Sequence, residues 1–392
     1  MITVENKVID LVTDEAKSKN YGILVSSLSH FELSGWNERL LQSAGGSWRQ
    51  STHYGEYKKE FWGESPVYLV AQENGRILGQ LLVLFTHPYG WSLHRYGILP
   101  LSSVLKNILP WFYCLEGPVI FDKDRFNDVH EALYRWVLNE AVRRGCIGGS
   151  LMPSFYDPTY QNEQFNLRKL IHQIGFKVNE KATLIVNLDS SEDELFARLK
   201  KEARNKVRKS EKQGIVVCKL GNTASDTSLM LRAMRETACR NKVAPITQKM
   251  FEKSSWKRLY DEGLSHAFIS KSSDGHLLSS QQLVQFNRII SLGGVSYTDF
   301  SKESCLYGND LVQWKIIKWG LEAGFKSIDF MGIAPETNSE KMKSIYAFKA
   351  KWGGDRINYD EYFWQNNNVS AQLFRCLNDK LFSHVKKMVR YF

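Results

Sequence analysis

Positive charge is concentrated in one segment of the sequence, Phe196–Gln213. The segment holds eight Lys and Arg residues against two Glu residues, so it supplies +6 of a net charge of +10. Apolar residues recur every four positions from Leu195, which predicts a single helix with one buried stripe. Beside that stripe a row of cations is spaced to pair with phosphate groups: Lys200, Arg204 and Arg208. The same pattern is typical of a solvated basic face, so the sequence leaves both interpretations open.

A second candidate lies near the C-terminal end of the sequence. The ten residues Tyr346–Asp355 combine three aromatic residues, two lysines and a Gly-Gly pair. A lysine held between aromatic rings, such as Lys349 beside Phe348, can present a fixed positive charge to an oxyanion that develops during acyl transfer. The alternative is an amphipathic segment that ends at a turn and leaves its lysines in solvent, and the pattern alone favours that alternative.

Several kinds of active site are excluded at the level of motifs. The sequence has no G-x-x-x-x-G-K-[ST], G-x-G-x-x-G, H-E-x-x-H or G-x-S-x-G segment, which argues against NTPases, dinucleotide enzymes, zinc proteases and serine hydrolases. The six cysteines are scattered singly, so we expect buried, reduced thiols and neither a metal site nor disulfide bonds. No stretch approaches the ~18 apolar residues of a membrane span, and we expect a cytoplasmic protein.

The elements that position these residues follow a repeated pattern. Strand-length apolar runs alternate with helical patterns, which predicts an α/β fold with mixed sheets. A hairpin around Asn74-Gly75 has a counterpart around Asp274-Gly275. Two helices also end in glycine and are followed by a strand with a methionine seven residues after that glycine, at Gly145–Met152 and Gly324–Met331. Helix–Gly–strand units occur in every α/β protein, but two echoes in the same order favour an internal duplication.

The length of 392 residues suits two domains, and we place their join near residue 185. Ser191 and Glu194 have the spacing of a capping box, which predicts that a helix begins there. No linker-like stretch separates the halves, so we expect domains 1–185 and 186–360 to pack closely around a cleft. A C-terminal helical segment, 361–392, has an apolar face that suits packing on the first domain or contact with an anionic membrane.

Five short segments occur in order along the chain. They are Gln50-Ser-x-x-Tyr54-x-x-x-Lys58, Gly117-Pro-Val119, the strand and basic helix of Thr183–Val217, Asn309–Ile333, and Tyr346-x-Phe348-Lys349-x-x-Trp352-Gly353-Gly354. Together these segments resemble the FemABX family of aminoacyl-tRNA-dependent peptidyltransferases, which transfer an aminoacyl group from tRNA to an amine of a peptidoglycan precursor. That resemblance implies two tandem GNAT-like acyltransferase domains, here without the long helical arm of some members.

The resemblance also implies roles for matched residues. Lys349, after Phe348, occupies the position of a lysine that stabilises the transition state and meets the tRNA end. Asp329 is a weaker candidate to orient or deprotonate the amine, because an aspartate that caps the following turn is the more ordinary explanation. The substrate and its phosphates are then expected to contact a larger set: Lys58, Lys200, Arg204, Arg208, Tyr346 and Trp352.

The chemistry of the implied reaction agrees with the missing motifs. An aminoacyl ester is already activated, so amide formation needs an oriented amine and a cation facing the oxyanion but no enzyme nucleophile, metal or further cofactor. A polyanionic RNA partner also matches the excess of positive charge. Two alternatives stay open at this point: an acyl-CoA-dependent N-acyltransferase, and a protein without catalytic activity that binds RNA or an anionic membrane.

Overall fold

The computed structural model describes residues 22–29, 32–88, 102–221, 223–243, 245, 247–252, 255–366 and 372. Thirteen strands in this part of the chain form one mixed sheet. They are β1 (Leu24–Leu28), β2 (Ser65–Glu73), β3 (Arg76–Thr86), β4 (Trp111–Cys114), β5 (Val119–Ile120), β6 (Gly148–Leu151), β7 (Lys177–Asn187), β8 (Val216–Lys219), β9 (Ser265–Lys271), β10 (Leu277–Phe286), β11 (Ile289–Tyr297), β12 (Ser327–Asp329) and β13 (Asp355–Gln365).

Thirteen α-helices occur in the same described residues, and they confirm the predicted α/β class. They are α1 (Trp36–Gln42), α2 (Thr52–Trp62), α3 (Ser102–Ile108), α4 (Phe126–Arg143), α5 (Pro158–Gln173), α6 (Glu192–Arg198), α7 (Lys201–Lys212), α8 (Ala224–Arg240), α9 (Gln248–Glu252), α10 (Ser255–Asp261), α11 (Asp299–Glu303), α12 (Gly308–Glu322) and α13 (Glu340–Ala350). A 3₁₀ turn, Trp48–Gln50, precedes α2.

The order of strands shows two similar halves that exchange their last strands. The order is β1-β2-β3-β4-β6-β13-β7-β12-β11-β10-β9-β8, with β5 paired to β3. In each half a series of antiparallel strands ends in one parallel pair, β4 with β6 and β11 with β12. β7 follows β6 in the chain but pairs with β12, whereas β13 follows β12 but pairs with β6. β7 and β13 also pair with each other, so the sheet continues through its centre without a break.

The central strands bear on the predicted domain boundaries. Residue 185 lies inside β7, which pairs with β12 and β13 at the centre of the sheet, and the division into domains at that residue stays a prediction. Residues 361–365 of the predicted C-terminal helical segment belong to β13. The rest of that segment lies outside the described residues, apart from residue 372.

The local signals read from the sequence are confirmed. The hairpins β2–β3 and β9–β10 are antiparallel and occupy matching places in the two halves. Gly145 and Gly324 follow α4 and α12 with φ of 66° and 73°, in a backbone conformation that costs little only for glycine. Ser191 and Glu194 form the capping box that opens α6.

Two large cores cover one face of the sheet in each half. The first packs α4 and α5 on the sheet and includes Tyr362 from β13, the last described strand. The second packs α6, α7 and α12 on the sheet and includes Trp352. Because β13 contributes to the first core and also pairs with β7, the two halves are joined by buried apolar area as well as by backbone hydrogen bonds.

The prediction of one continuous basic helix was wrong. The helix breaks between α6 and α7, where Leu199 and Lys200 are extended with ψ of 144° and 147°. Leu199 is buried in the second core, and the backbone N–H of Lys200 donates to the carbonyl of Lys351 at 3.0 Å. These tertiary contacts outweigh the local preference for helix, so Lys200 precedes α7 rather than continuing the row of Arg204 and Arg208.

The cysteines only partly match the prediction of buried thiols. Cys114 and Cys146 are buried, but Cys218, Cys239 and Cys305 are exposed, and all five are free. Among the helices of the described residues, none combines the length and apolar character needed to cross a bilayer.

Candidate active site

One turn at the junction of the two halves is contacted by a cation from each half. The turn follows β12, and its residue Met331 has φ of 62°. Arg49, from the 3₁₀ turn of the first half, places its Nη2 4.0 Å from the Met331 Sδ. Lys349, at the end of α13, donates from Nζ to the carbonyl oxygens of Met331 at 3.0 Å and Gly332 at 2.8 Å. A positive φ is strained for methionine, and strain of this kind is concentrated at functional sites.

Asp329 lies beneath this turn and is 1% exposed. One carboxylate oxygen accepts from the Tyr156 hydroxyl at 2.6 Å, and the other accepts from the Thr183 hydroxyl at 2.5 Å and the Met331 N–H at 2.7 Å. Burial and the Asp329 charge raise the pKa of Tyr156 well above 10, so its hydroxyl stays a donor. Asp329 therefore connects the segment after β6, the central strand β7 and the turn.

Glu116 supports Arg49 from the other side. It is 1% exposed, has φ of 57°, and places Oε1 3.5 Å from the Arg49 Nε, while its other oxygen accepts from the Ser47 hydroxyl. Burial raises the pKa of Glu116, and the positive charge of Arg49 opposes that effect. For Arg49, burial disfavours the charged form, but the Glu116 and Asp329 charges leave its pKa above the ordinary value. Its side chain is 20% exposed, so a fixed cation reaches the surface of the site.

The Gln50-Ser51 pair of the first motif holds Arg49 in place. The Gln50 side chain is fully buried, donates to the Leu115 carbonyl at 2.7 Å and accepts from the Leu82 N–H at 2.7 Å. Ser51 caps α2 by accepting from the Tyr54 N–H. This part of the motif is structural, because it ties the turn that carries Arg49 to the sheet.

Lys58, one of the predicted phosphate-binding residues, lies in a neighbouring buried cluster. Its Nζ is 3.0 Å from the Glu64 Oε1 and 4.5 Å from the centre of the Trp62 ring. The Tyr113 hydroxyl donates to the other Glu64 oxygen at 2.6 Å. Burial lowers the pKa of Lys58, as does the charge of Arg49, whereas Glu64 raises it. The structure thus places Lys58 within the electrostatic reach of Arg49, but its charge is already matched by a carboxylate.

The basic helix residues have three different environments. Arg204 donates to the carbonyls of Ala197 and Leu199 and so caps the end of α6. Arg208 is exposed, with its guanidinium 5.2 Å from the centre of the Phe196 ring. Lys200 is exposed and joined through its N–H to Lys351, two residues after Lys349.

The aromatic residues around Lys349 pack into the second core. Trp352 is 1% exposed, which favours packing over contact with a substrate. Phe348 and Tyr346 are partly buried against the same core. The neighbouring Lys351 is buried in an ion pair with Asp310. Lys349 is therefore directed to the turn after β12, whereas Lys351 is directed to the interior.

Sequence reasoning missed three residues of the site. Arg49 directly precedes the Gln50-Ser51 motif, and this position beside a motif marks it as a candidate site residue. Glu116 directly precedes the Gly117-Pro118 motif, but nothing in the sequence pairs it with Arg49 or Ser47. Tyr156 carries no local signal, because its partner Asp329 is 173 residues away in the sequence.

The part of the chain that the structure describes contains no group of three His, Cys, Asp or Glu side chains arranged to hold a metal ion. The site at the junction consists of two cations, Arg49 and Lys349, above a buried carboxylate and its hydroxyl donors.

Comparison with known proteins supports this fold at low sequence similarity. No family model matches the chain, and no curated protein sequence matches it. The crystal structure of FemX is similar with a TM-score of 0.68 and 17% identity, covering 90% of this chain and 99% of FemX. A tandem GNAT protein from the clavulanic acid biosynthesis pathway, solved without AcCoA, is similar with a TM-score of 0.52 and 10% identity, covering 88% and 98%. The chain therefore has the fold of FemX, built from two tandem GNAT-like domains.

Proposed function

We propose that this protein is an acyltransferase that moves an aminoacyl group from aminoacyl-tRNA to an amine of a peptidoglycan precursor or a similar peptide. The observation that carries the proposal is the convergence of Arg49 and Lys349 on the Met331 turn. The resemblance of five ordered segments to the FemABX family and the likeness of the fold to FemX agree with it.

The reaction is an aminolysis of an ester. The amine nitrogen attacks the ester carbonyl, a C–N bond forms and the C–O bond to the ribose breaks. One proton leaves the amine, and the ribose oxygen departs as a hydroxyl. The negative charge that develops on the carbonyl oxygen needs a nearby cation more than it needs a nucleophile. Lys349 supplies that cation, and the Met331 and Gly332 carbonyls hold its Nζ in place.

Asp329 acts mainly as a positioning residue. Both of its oxygens are occupied and it is almost completely buried, so it fixes the turn that Lys349 and Arg49 contact. Its negative charge also raises the pKa of Lys349, against the lowering caused by burial, and so favours the charged lysine.

The donor and acceptor carry phosphate groups, and the basic surface favours both. Among the predicted phosphate contacts, Lys200 and Arg208 are exposed and are proposed to meet these phosphates, with the partly buried Tyr346 as a proposed substrate contact. Lys58 and Arg204 are engaged by Glu64 and by two backbone carbonyls, and Trp352 is buried in the second core, so we propose that these three residues support the site. We propose that the protein needs no cofactor apart from the tRNA that carries the donor, and that it acts in the cytoplasm, where a lipid-linked acceptor would bring it to the inner face of the membrane.

The proposal is tested by incubating the purified protein with a charged total tRNA pool and candidate amine acceptors, followed by the mass of the product. The expected product is the acceptor plus one aminoacyl residue. Mild alkaline deacylation of the tRNA before the reaction should abolish the product, because the free amino acid that it releases is no longer an activated ester. Product that forms from deacylated tRNA and free amino acids would contradict the role of aminoacyl-tRNA as the donor.

The alternative donor is an acyl-CoA. It is favoured by the likeness of the fold to the tandem GNAT protein from the clavulanic acid biosynthesis pathway, whose structure was solved without AcCoA. The same assay with acetyl-CoA in place of charged tRNA separates the two donors, because only one of them should give a product. Binding of RNA or vesicles without transfer from either donor would support the third possibility, a protein without catalytic activity.

A further inference from the structure

One face of helix α7 carries cations that form no ion pair within the described ranges of the chain. Ala203, Val207 and Ser210 are buried on the opposite side of this helix. Four exposed positions, which start at residue 201 and follow at 4, 7 and 11 residues beyond it, form a row on this helix. The row is about 16 Å long, since each residue adds about 1.5 Å. The row has no acidic residue, and we call it the α7 basic face: Lys201, Asn205, Arg208 and Lys212.

The charges of this face are not neutralised by neighbours. Lys206 and Lys315, on the flanks, form ion pairs with Glu202 at 2.5 Å and Glu211 at 3.3 Å. In contrast, the three cations of the α7 basic face form no ion pair with any residue that the structure describes. Arg208 is held over the Phe196 ring, which limits its rotamers without removing its charge.

The face begins next to the candidate active site. The N–H of Lys200, immediately before α7, donates to the carbonyl of Lys351, two residues beyond Lys349. At Gly353 the chain passes so close to α6 that a Cβ there would lie 2.9 Å from the carbonyl oxygen of Arg198. The start of α7 and the end of α13 are therefore fixed against each other.

We propose that the α7 basic face binds the phosphate backbone of the RNA donor while the aminoacylated end of that RNA lies at Lys349. This inference rests on the proposed function and adds to it the surface that holds the body of the donor. A row of unpaired cations about 16 Å long matches the repeated phosphates of a nucleic acid better than one or two phosphates of an acceptor. A lipid surface is a poorer match, because the large apolar residues exposed on the protein include none from α7.

Arg204 is not part of this surface. Its guanidinium is engaged by the carbonyls of Ala197 and Leu199, so its contribution is to the break between α6 and α7.

The test compares two triple variants that remove equal charge. K201A/R208A/K212A removes the cations of the α7 basic face. K169A/K177A/K326A removes three other exposed lysines that form no ion pair with the described residues. Binding of uncharged total tRNA is measured against salt concentration. The first variant should bind roughly tenfold more weakly or worse, with a slope of log affinity against log salt reduced by roughly 2 to 3. The control should stay within about twofold of wild type.

A second readout compares two donors. The loss of transfer caused by K201A/R208A/K212A should be at least roughly tenfold larger with aminoacyl-tRNA than with a short aminoacyl-nucleotide, which is too small to reach the face. Equal losses with both donors, unchanged tRNA binding, or equal weakening by the control variant would overturn the proposal. If wild type binds tRNA through this face but transfers from neither donor, the proposed function fails while the RNA surface stands. Circular dichroism melting confirms that both variants fold.

Discussion

The two halves of the protein share a backbone plan but differ at one matching position near the end of a strand. Met152 follows Gly145 by seven residues, as Met331 follows Gly324. Two residues before each methionine the first half has Ser150 and the second has Asp329. Asp329 accepts three hydrogen bonds and anchors a strained turn, whereas Ser150 lies in β6 between two paired strands. Duplication of the fold has therefore not duplicated the polar site.

The first half contributes to the site of the second half instead of forming its own. Arg49, Glu116 and Tyr156 all belong to the first half, and all three act on the turn after β12, either directly or through a neighbour. The site needs residues from both halves. The exchange of β7 and β13 between the halves fixes the position of one half relative to the other. A repeated backbone can therefore carry a polar site in one half while residues of the other half support that site.

The largest expected effect comes from replacing each of the two matching residues, Asp329 and Ser150, with alanine in separate variants. Asp329→Ala leaves the Tyr156 and Thr183 hydroxyls and the Met331 N–H without their acceptor and removes a charge that balances Arg49. We expect the free energy of unfolding to fall by about 3–5 kcal/mol, the usual cost of removing one member of a buried charged network. Ser150→Ala should change it by less than about 1 kcal/mol. Urea denaturation of both variants measures the difference.

Asp329→Asn keeps the shape of the side chain and guards against simple misfolding. It should fold more stably than Asp329→Ala and move the alkaline limb of transfer to lower pH, because it removes the charge that raises the pKa of Lys349. Equal destabilisation by Ser150→Ala and Asp329→Ala would contradict the asymmetry of the halves.

The features of the fold and site that the sequence predicts are those that depend on residues close together in the sequence. The class of fold, the matching hairpins and the glycines at 145 and 324 were readable because each rests on a short pattern. Lys349 was proposed from its aromatic neighbours and a family motif, and its catalytic role stays a prediction. The partnership of Arg49 with the Met331 turn was not, since the two residues are 282 positions apart.

The basic helix shows the second limit of the sequence. Its periodicity predicted one helix because the pattern contains nothing about the Lys351 carbonyl that binds the N–H of Lys200. The charge of Lys58 was likewise visible, but the burial of Glu64 beside it was not. Long-range contacts determine which Lys and Arg side chains are neutralised by a carboxylate and which remain able to bind an anionic ligand.

A sharper comparison uses two lysines that are two residues apart. Lys349→Met should lower kcat by roughly 10²-fold, the cost of losing one group that stabilises an oxyanion, with little change in stability. Lys351→Met leaves buried Asp310 without its partner and should destabilise the fold by about 3–5 kcal/mol. Transfer assays and urea denaturation together separate the roles, and unchanged transfer in Lys349→Met refutes the catalytic assignment.

The pH dependence of transfer provides a check on Lys349. Burial lowers its pKa below the ordinary value of 10.5, and the charged form is the active one. The rate should therefore fall as pH rises through that lowered pKa. Lys349→Arg, which stays charged, should move the alkaline limb to higher pH. An alkaline limb that does not move in this variant would assign it to another group.

The smallest effect tests whether the backbone plan is truly shared. Gly145→Ala and Gly324→Ala place a Cβ where nothing lies within 4 Å, so the only cost is the positive φ. Each should destabilise the protein by about 1 kcal/mol, and the two values should agree within about 0.5 kcal/mol because the same conformation ends α4 and α12. Thermal denaturation of the two variants side by side measures this. A large inequality would show that the matching ends of α4 and α12 differ in backbone energetics, and not only in the residues they present.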